Sequence, residues 1–600
     1  VKSHARAEEL GDFTTDRRVI PISLLAIVIG LISTGLAWAL LKLIGLFTNL
    51  FYFHRWNTEL VSPAGNSLGF WAVLAPVAGA LIIGLMARYG SERIRGHGIP
   101  EALESILING SRVAPRLAIL KPLSSAISIG SGGPFGAEGP IIMTGGAFGS
   151  MIAQFFHLTS VERKTLLVAG ASAGMSATFA APIAATLLAV ELLLFEWKPR
   201  SLIPVALASA AAGAARRYIL GAGPLFPVPD HPLFIGPWGL LGCVICGLLA
   251  GGLSALLTGA VYAAEDAFQK LPIHWMWWPA IGGLVVGVGG LIFPQALGVG
   301  YDTIGSLLKG DVARNVIVGV LLVKSIIWAV ALGSGTSGGV LAPLLMMGGA
   351  LGGVEAMFLP NEGQGFWPLI SMGAILGGTM RSPLTGIVFA LELTHDINAL
   401  LPLLVASVIA HGFTVLVLKR SILTEKVARR GYHLSREYAV DPLEILFARD
   451  AMRTNLVALS AGSTHEQVRS ILQTNHASRG QRLYPVVDDD RRLRGVITRN
   501  RLRGWLEEGS HPAGKTLAGA VVDPTVAYPD EPLRGVVYRM AETGLTSFPV
   551  VGRDDERKLV GVIGLKDLLS ARTRNLAEER DRERVLRIRL PSIGRAGRAN

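Results

Sequence analysis

Between Gly130 and Pro140 the chain reads Gly-Ser-Gly-Gly-Pro-Phe-Gly-Ala-Glu-Gly-Pro, five glycines and two prolines around a single carboxylate, Glu138. Backbone of this composition cannot continue a regular helix. The apolar run Ile141-Ile142-Met143 then predicts a helix that begins beside Glu138. The first amides of a helix lack intrahelical acceptors, and the helix dipole favours negative charge there. Two anions can use such a place: the Glu138 carboxylate, or a dissolved anion that competes with it. A lone glutamate between apolar runs is costly at membrane depth and marks function.

Other reactive groups carry less. Cys243 and Cys246 form a C-x-x-C within an apolar run, without the polar setting or further ligands that redox or metal chemistry needs, and are read as packing residues. The sequence holds no catalytic triad, metal-ligand cluster or GxxxxGK[ST] loop, so no enzyme is expected.

The elements that must position Glu138 follow from composition. Of 600 residues, 50% are hydrophobic and only 17% charged, which predicts a polytopic membrane protein. Long windows such as Val19–Leu41, Pro232–Ala264 and Ser325–Val354 carry no charge, and Lys324 is the only charge between Arg314 and Glu355. The net charge of +12 could suggest nucleic acid. The basic residues instead gather in loops and tails (Arg17-Arg18, Arg216-Arg217, Lys419-Arg420, Arg429-Arg430), as the positive-inside bias expects, and no nucleic acid is expected as a partner.

In order, residues 1–18 read as a cytosolic tail and 19–432 as an all-α membrane domain. Several of its hydrophobic segments, Glu101–Ile108, Leu117–Ile129 and Ile141–Phe156, are too short or broken to span alone, which points to a transport site near the midplane. An internal repeat agrees. Gly130-Ser131-Gly132 returns as Gly333-Ser334-Gly335, and Gly170-Ala171-x-x-Gly174 as Gly373-Ala374-x-x-Gly377, both offset by 203; Pro182 and Glu191 return as Pro383 and Glu392, offset by 201. Two halves, about 19–220 and 232–432 and inverted in topology, are the natural reading. From 448 to 575 the pattern changes to short strands and amphipathic helices, a small α+β unit duplicated at about 448–509 and 518–575. Residues 576–600 form a charged tail, read as a solvated helix with a disordered end.

Four loops carry a resemblance. Gly96-His97-Gly98-Ile99-Pro100, Gly136-Ala137-Glu138-Gly139-Pro140, Gly338-Gly339-Val340-Leu341-Ala342-Pro343 and Ser421-Ile422-Leu423-Thr424 resemble, in order, the signature loops of the CLC family of chloride channels and chloride/proton exchangers. The duplicated unit resembles a CBS-domain pair. The resemblance implies a homodimer in the cell membrane with one anion pathway per subunit, and with the N-terminal tail and CBS-like pair in the cytosol. It implies that Glu138 is the external gating glutamate and that the loops bearing His97, Gly98, Ile99, Gly136, Gly139, Val340 and Leu341 hold chloride or a similar small anion. Such donors suit a permeating anion because backbone N–H groups bind without the full charge that would trap it.

Three departures bear on mechanism. His97 replaces the family's central serine; an imidazole could bind the anion, make affinity pH-dependent or carry a proton, or be turned away and satisfied by backbone. Leu423 takes the place of the central tyrosine at the inner gate, so a wider inner vestibule is expected. Leu192 takes the place of the exchangers' internal proton glutamate, leaving Glu196, His97 or water as an alternative path. Because Leu192 and Leu423 remove two coupling features, the sequence leans toward passive, channel-like chloride conduction, with proton-coupled exchange as the alternative. A CBS-regulated cation channel and a nucleotide-sensing scaffold are the remote rivals. In the CBS-like pair, Thr498, Asn500 and Asp567 resemble groups that hold ribose and phosphate, which would make an adenine nucleotide the regulator; a pair that only stabilises the dimer is the other reading. Glu191 and Glu392 are expected at helix ends, and Lys324 needs a partner if buried.

Overall fold

The computed structural model describes residues 13, 15–107, 110–431, 441–474, 481–507 and 516–580. Most of the 1–18 tail, and residues 581–600 of the charged C-terminal tail, lie outside the described residues. The chain divides into two compact units, Phe13–Glu437 and one built on Tyr438–Asn600.

The first unit is helical. Its first half runs α1 (Val19–Phe53), α2 (Leu74–Tyr89), α3 (Ile99–Leu107), α4 (Pro115–Gly130), α5 (Glu138–Gln154), α6 (Ser160–Phe179), α7 (Pro182–Leu188), a π-helical segment Ala189–Leu194, and α8 (Pro199–Ile219). The second half runs α9 (Pro237–Gln269), α10 (Trp278–Ile292), α11 (Tyr301–Lys309), α12 (Arg314–Gly319), a second π-helical segment Val320–Lys324, α13 (Ser325–Gly333), α14 (Leu341–Glu355), α15 (Phe366–Met380), α16 (Pro383–Thr394), α17 (Leu400–Val417) and α18 (Ile422–Arg429). Among the described residues, six helical stretches are long and apolar enough to cross a membrane, while α3, α5, α14 and α15 are too short to cross alone.

The two halves are inverted, and hydrogen bonds show it. From its first half α4 reaches the Gly96 loop through Lys121, whose Nζ donates to the Ile94 and Gly96 carbonyls at 2.8 and 2.7 Å; beyond its end the Gly298 amide donates to the Gly132 carbonyl at 3.1 Å. The π-helical segment leading into α13 reaches the Gly298 loop through Lys324, which donates to the Ala296 and Gly298 carbonyls at 2.9 and 2.7 Å; beyond the end of α13 the Gly96 amide donates to Thr336 at 3.1 Å. The two helices therefore run in opposite directions between the same two loops. Close packing follows from small residues: a Cβ on Gly145 would stand 2.2 Å from the Gly170 carbonyl, so α5 and α6 meet backbone to backbone.

The halves also cap each other. Glu392 of α16 accepts from the Ile183 and Ala184 amides at the start of α7, at 3.0 and 2.8 Å. Glu191, in the first π-helical segment, accepts from the Thr385 amide at 2.9 Å and from the Thr385 hydroxyl at the start of α16. Each helix opens with a proline, Pro182 or Pro383, so these carboxylates meet first-turn donors next to a residue that has none.

The second unit begins with α19 (Pro442–Ile445), α20 (Ala448–Ala451), β1 (Leu459–Ser460) and α21 (His465–Thr474). It continues with β2 (Leu483–Val487), β3 (Leu493–Thr498), α22 (Arg499–Glu507), α23 (Leu533–Thr543), β4 (Ser547–Val551), β5 (Leu559–Gly564) and α24 (Leu565–Arg580). β2–β3 and β4–β5 are antiparallel hairpins with matching registers, Pro485↔Val496 and Pro549↔Val562, and each is irregular at its last valine pair. β1 joins the first hairpin in parallel. Each copy has its own core, around Tyr484, Ile497 and Trp505 in one and Phe548, Val550 and Ile563 in the other.

Candidate anion site at three helix starts

Three broken helices begin at one place. In α3 the first helical bond runs from Ala102 to the Gly98 carbonyl, in α5 from Ile141 to Ala137, and in α14 from Leu344 to Val340. The amides of Ile99, Glu138, Gly139, Leu341 and Ala342 thus precede the intrahelical ladders. The starts of α5 and α14 are tied by a reciprocal pair, Gly136 N–H to Gly339 O at 3.1 Å and Gly339 N–H to Gly136 O at 2.9 Å. The α3 loop closes on them: a Cβ on Gly98, whose φ is +92°, would stand 2.3 Å from the Gly139 carbonyl.

Glu138 occupies this junction and is fully buried. Its Oε1 accepts from the Ala342 amide of the other half at 2.7 Å, and its Oε2 has no hydrogen-bond partner among the described residues. A Cβ on Gly136 would meet the two carboxylate oxygens at 1.9 and 2.2 Å, and one on Gly339 would meet Oε2 at 2.6 Å. The carboxylate is therefore seated in a slot that glycines keep open, at the positive end of α14. An anion of similar size placed there would find the same donor.

Gly98 and Gly136, expected among the anion donors, have their amides engaged elsewhere. Gly98 N–H donates to Glu101 Oε2 at 2.8 Å, and Gly136 N–H to the Gly339 carbonyl. In this arrangement neither amide is open to an anion. Glu101 is held in turn by Lys426 at 2.6 Å.

His97 is 5% exposed, and its Nδ1 has no partner among the described residues, so the satisfied, turned-away reading does not hold for that nitrogen. His97 lines a cavity of about 720 Å³ whose wall also includes Arg93, Arg95, Lys426, Arg429 and Arg430. Leu423 is fully buried in the helical core; the cavity wall is supplied by residues further along α18. Tyr262 brings a hydroxyl to the start of α18, and donates it to the Ile422 carbonyl.

Leu192 is fully buried and has no proton to exchange. Glu196 lies in the loop before α8, where it accepts from Ser201 at 2.6 Å and pairs with Arg200 at 3.4 Å. Burial raises its proton affinity, but the Ser201 hydroxyl and the charges of Lys164, Arg200 and Lys198 outweigh burial and hold the carboxyl below its ordinary value. Glu196 is thus kept ionised and paired, which does not suit a relay near neutral pH.

In the second unit, Thr498 and Asn500 are exposed at the β3–α22 turn. Asp567, at the start of α24, accepts from Gly564 N–H at 2.8 Å and pairs with Arg453 at 3.0 Å. The strand registers align Thr498 with Gly564 and Arg501 with Asp567, so the two turns do not each carry a hydroxyl and a carboxylate.

The sequence reading passed over three features. Lys121, the repeat mate of Lys324 at an offset of 203, is like it fully buried and spent on loop carbonyls. The loop Gly298-Val299-Gly300-Tyr301 is the counterpart of Gly96-His97-Gly98-Ile99, offset by 202, and that offset was the available signal. The Glu101–Lys426 pair joins positions 325 apart and left no local signal.

Two inverted halves whose broken helices meet at a buried, amide-bound carboxylate define an ion-transport membrane protein. The family described as Voltage gated chloride channel matches residues 78–415, and the CBS domain matches 448–508 and 519–574. The chain belongs to this CLC family and carries a CBS-domain pair. It is 31% identical over 355 residues to a putative chloride channel protein ClcB-like of Ralstonia nicotianae, covering 57% of this chain and 82% of that relative. It is 30% identical over 416 residues to the H(+)/Cl(-) exchange transporter ClcA of Yersinia pseudotuberculosis, covering 64% and 84%. Among solved structures, a slow cyanobacterial Cl-/H+ antiporter superposes with TM-score 0.62 at 21% identity, over 70% of this chain and 99% of that one. A CLC-type fluoride/proton antiporter superposes with TM-score 0.57 at 19% identity, over 67% and 97%. These two likenesses establish the fold.

Proposed function

We propose that the protein is a proton-coupled chloride exchanger in which Glu138 is both gate and proton carrier. The observation that carries the reading is the seat of Glu138: a buried carboxylate on the Ala342 amide, with one oxygen unpartnered, in a slot an anion could share. When chloride takes the slot the carboxylate must leave it, and a proton taken up by the displaced carboxyl couples the two movements. The passive leaning drawn from Leu192 and Leu423 gives way here, because relatives named as exchange transporters support coupling.

Protons reach the gate from the cavity beside His97, in place of the missing internal glutamate. In this reading that cavity is the cytosolic vestibule, and the basic residues of its wall, which outnumber its three glutamates, draw chloride inward. The N-terminal region and the CBS-domain pair are cytosolic. Two copies assemble through the apolar outer faces of α7, α8, α16 and α17, which expose Ile183, Leu207, Leu384 and Leu404.

Passive conduction is the second reading, favoured by the burial of Leu192 where exchangers need an acid. Paired chloride and proton flux from proteoliposomes separates the two. Chloride moving down its gradient should drive protons uphill, and Glu138→Gln should abolish proton movement while chloride still flows. Chloride flux with no proton movement in the native chain would establish the passive reading. His97→Ser should weaken proton movement more than chloride movement.

A further inference from the structure

Exchange as proposed above requires Glu138 to leave its seat, and an ionised carboxylate cannot rest against apolar wall without a partner. Tyr301 supplies one. It opens α11 directly after Gly300, whose φ of +78° turns the chain, in the loop that Lys324 clamps through the Gly298 carbonyl. This loop lies at the opposite end of α4 and α13 from the Gly96 loop and its cavity, so Tyr301 stands on the far side of the site from His97. The Tyr301 hydroxyl is buried without a hydrogen-bond partner among the described residues, as is Glu138 Oε2, and the loop that carries Tyr301 is tied to the loop before Glu138 by the Gly298 amide on the Gly132 carbonyl at 3.1 Å. The Tyr301 ring is held edge-on by Phe179 at 6.3 Å and Phe226 at 6.0 Å, which limits where its hydroxyl can point. A small hollow of about 40 Å³, lined by Gly300, Tyr301, Thr48 and Ser62, adjoins the loop.

We propose that Tyr301 receives Glu138 in its displaced position, its hydroxyl donating to the carboxylate that chloride has expelled. Tyr301 is then the positioning residue that keeps the gate open while Glu138 is ionised. A protonated Glu138 needs this donor less, so the role is confined to the charged form. The charged groups facing the pair are Lys324 from the second π-helical segment and Arg216 from α8, with His97 beyond the Gly139 backbone.

Tyr301→Phe removes the hydroxyl and keeps the ring. Chloride flux is measured in proteoliposomes at outer pH 8 and pH 5, in the native and Glu138→Gln backgrounds. A hydrogen bond to a charged group is worth enough that Tyr301→Phe should slow flux about ten-fold or more at pH 8. At pH 5, and in the Glu138→Gln background at either pH, it should change flux less than about two-fold. Equal slowing at both pH values and in both backgrounds would make Tyr301 a wall residue only and overturn the proposal, as would no effect anywhere. No chloride flux in the native protein would overturn the exchange reading itself. Flux in the native protein without a Tyr301 effect overturns only this inference.

Discussion

Replacing Glu392 by leucine should destabilise the membrane unit without altering what it transports. Glu392 satisfies two first-turn donors of α7, the amides of Ile183 and Ala184, and Ile183 faces outward with 60% exposure. In a bilayer no water replaces the lost acceptor. Leaving each amide unsatisfied costs about 1–3 kcal/mol, and the lost charge at the helix start adds about 0.3–1 kcal/mol. The expected total is roughly 2–7 kcal/mol, with the upper part reached only if the end of α7 cannot adjust. Glu392→Gln keeps one acceptor and should cost about half as much. The assay is thermal denaturation in detergent, followed by size-exclusion recovery, beside chloride flux at low temperature. Melting should fall in the order native, Gln, Leu, while the chloride-to-proton ratio of the surviving fraction stays constant. A variant that melts like the native protein but has a changed ratio would refute the capping argument and make Glu392 part of the transport path.

Gly136→Ala should act on the gate through space alone, because the nearest atoms to its new methyl are all in the Glu138 carboxylate; chloride flux at neutral pH should rise toward that of Glu138→Gln, with unchanged melting. His231 lies between the Asp396 carboxylate at 2.6 Å and the Gln364 carbonyl at 3.0 Å, so both ring nitrogens must donate. Burial lowers its proton affinity, but the Asp396 hydrogen bond, the Gln364 carbonyl and the charges of Asp396 and Asp230 outweigh burial and raise it. The stability this pair contributes is therefore complete below the ordinary histidine value of about 6.5 and is lost as pH rises through the raised one. Melting temperature should decline on the alkaline side, and His231→Asn should flatten that decline. In the second unit, Arg539→Leu strands the buried Glu531 carboxylate and should cost about 3–5 kcal/mol, read as earlier unfolding of the CBS-domain pair; replacing both residues by apolar ones should recover most of the loss.

How far the sequence disclosed this architecture depended on the range of each signal. Gly130-Ser131-Gly132 and Gly333-Ser334-Gly335 announced the repeat because glycine positions are set by close approach, which both halves need. The helix starting at Glu138 and the strand-turn-strand units at Leu483 and Ser547 were also local and legible. The loop carrying Tyr301 was missed because it shares only two glycines with its mate, and different neighbours dictate its other side chains. Lys324 stood out in an apolar stretch, whereas Lys121 sits close to Arg112 and Arg116 and looked ordinary. The engagement of the Gly98 amide by Glu101, and of Gly136 by Gly339, depends on how loops from different helices meet. Spacing along the chain does not encode that, and the same limit applies to Glu138 resting on an amide 204 residues away.

The crossed carboxylates also set a clock on biosynthesis. The amides of Ile183 and Ala184 enter the bilayer early, but the residue that satisfies both lies 209 and 208 positions later. At about 5–20 residues per second, the ribosome needs roughly 10–40 s to deliver it. During that interval the first half waits in the membrane with α7 uncapped, open to whatever else can donate a carboxylate. The second half has no such delay, because Glu191 is already in place when Thr385 emerges. The molecule is symmetric in space, but its assembly is directional in time, and the vulnerable interval belongs to the half made first.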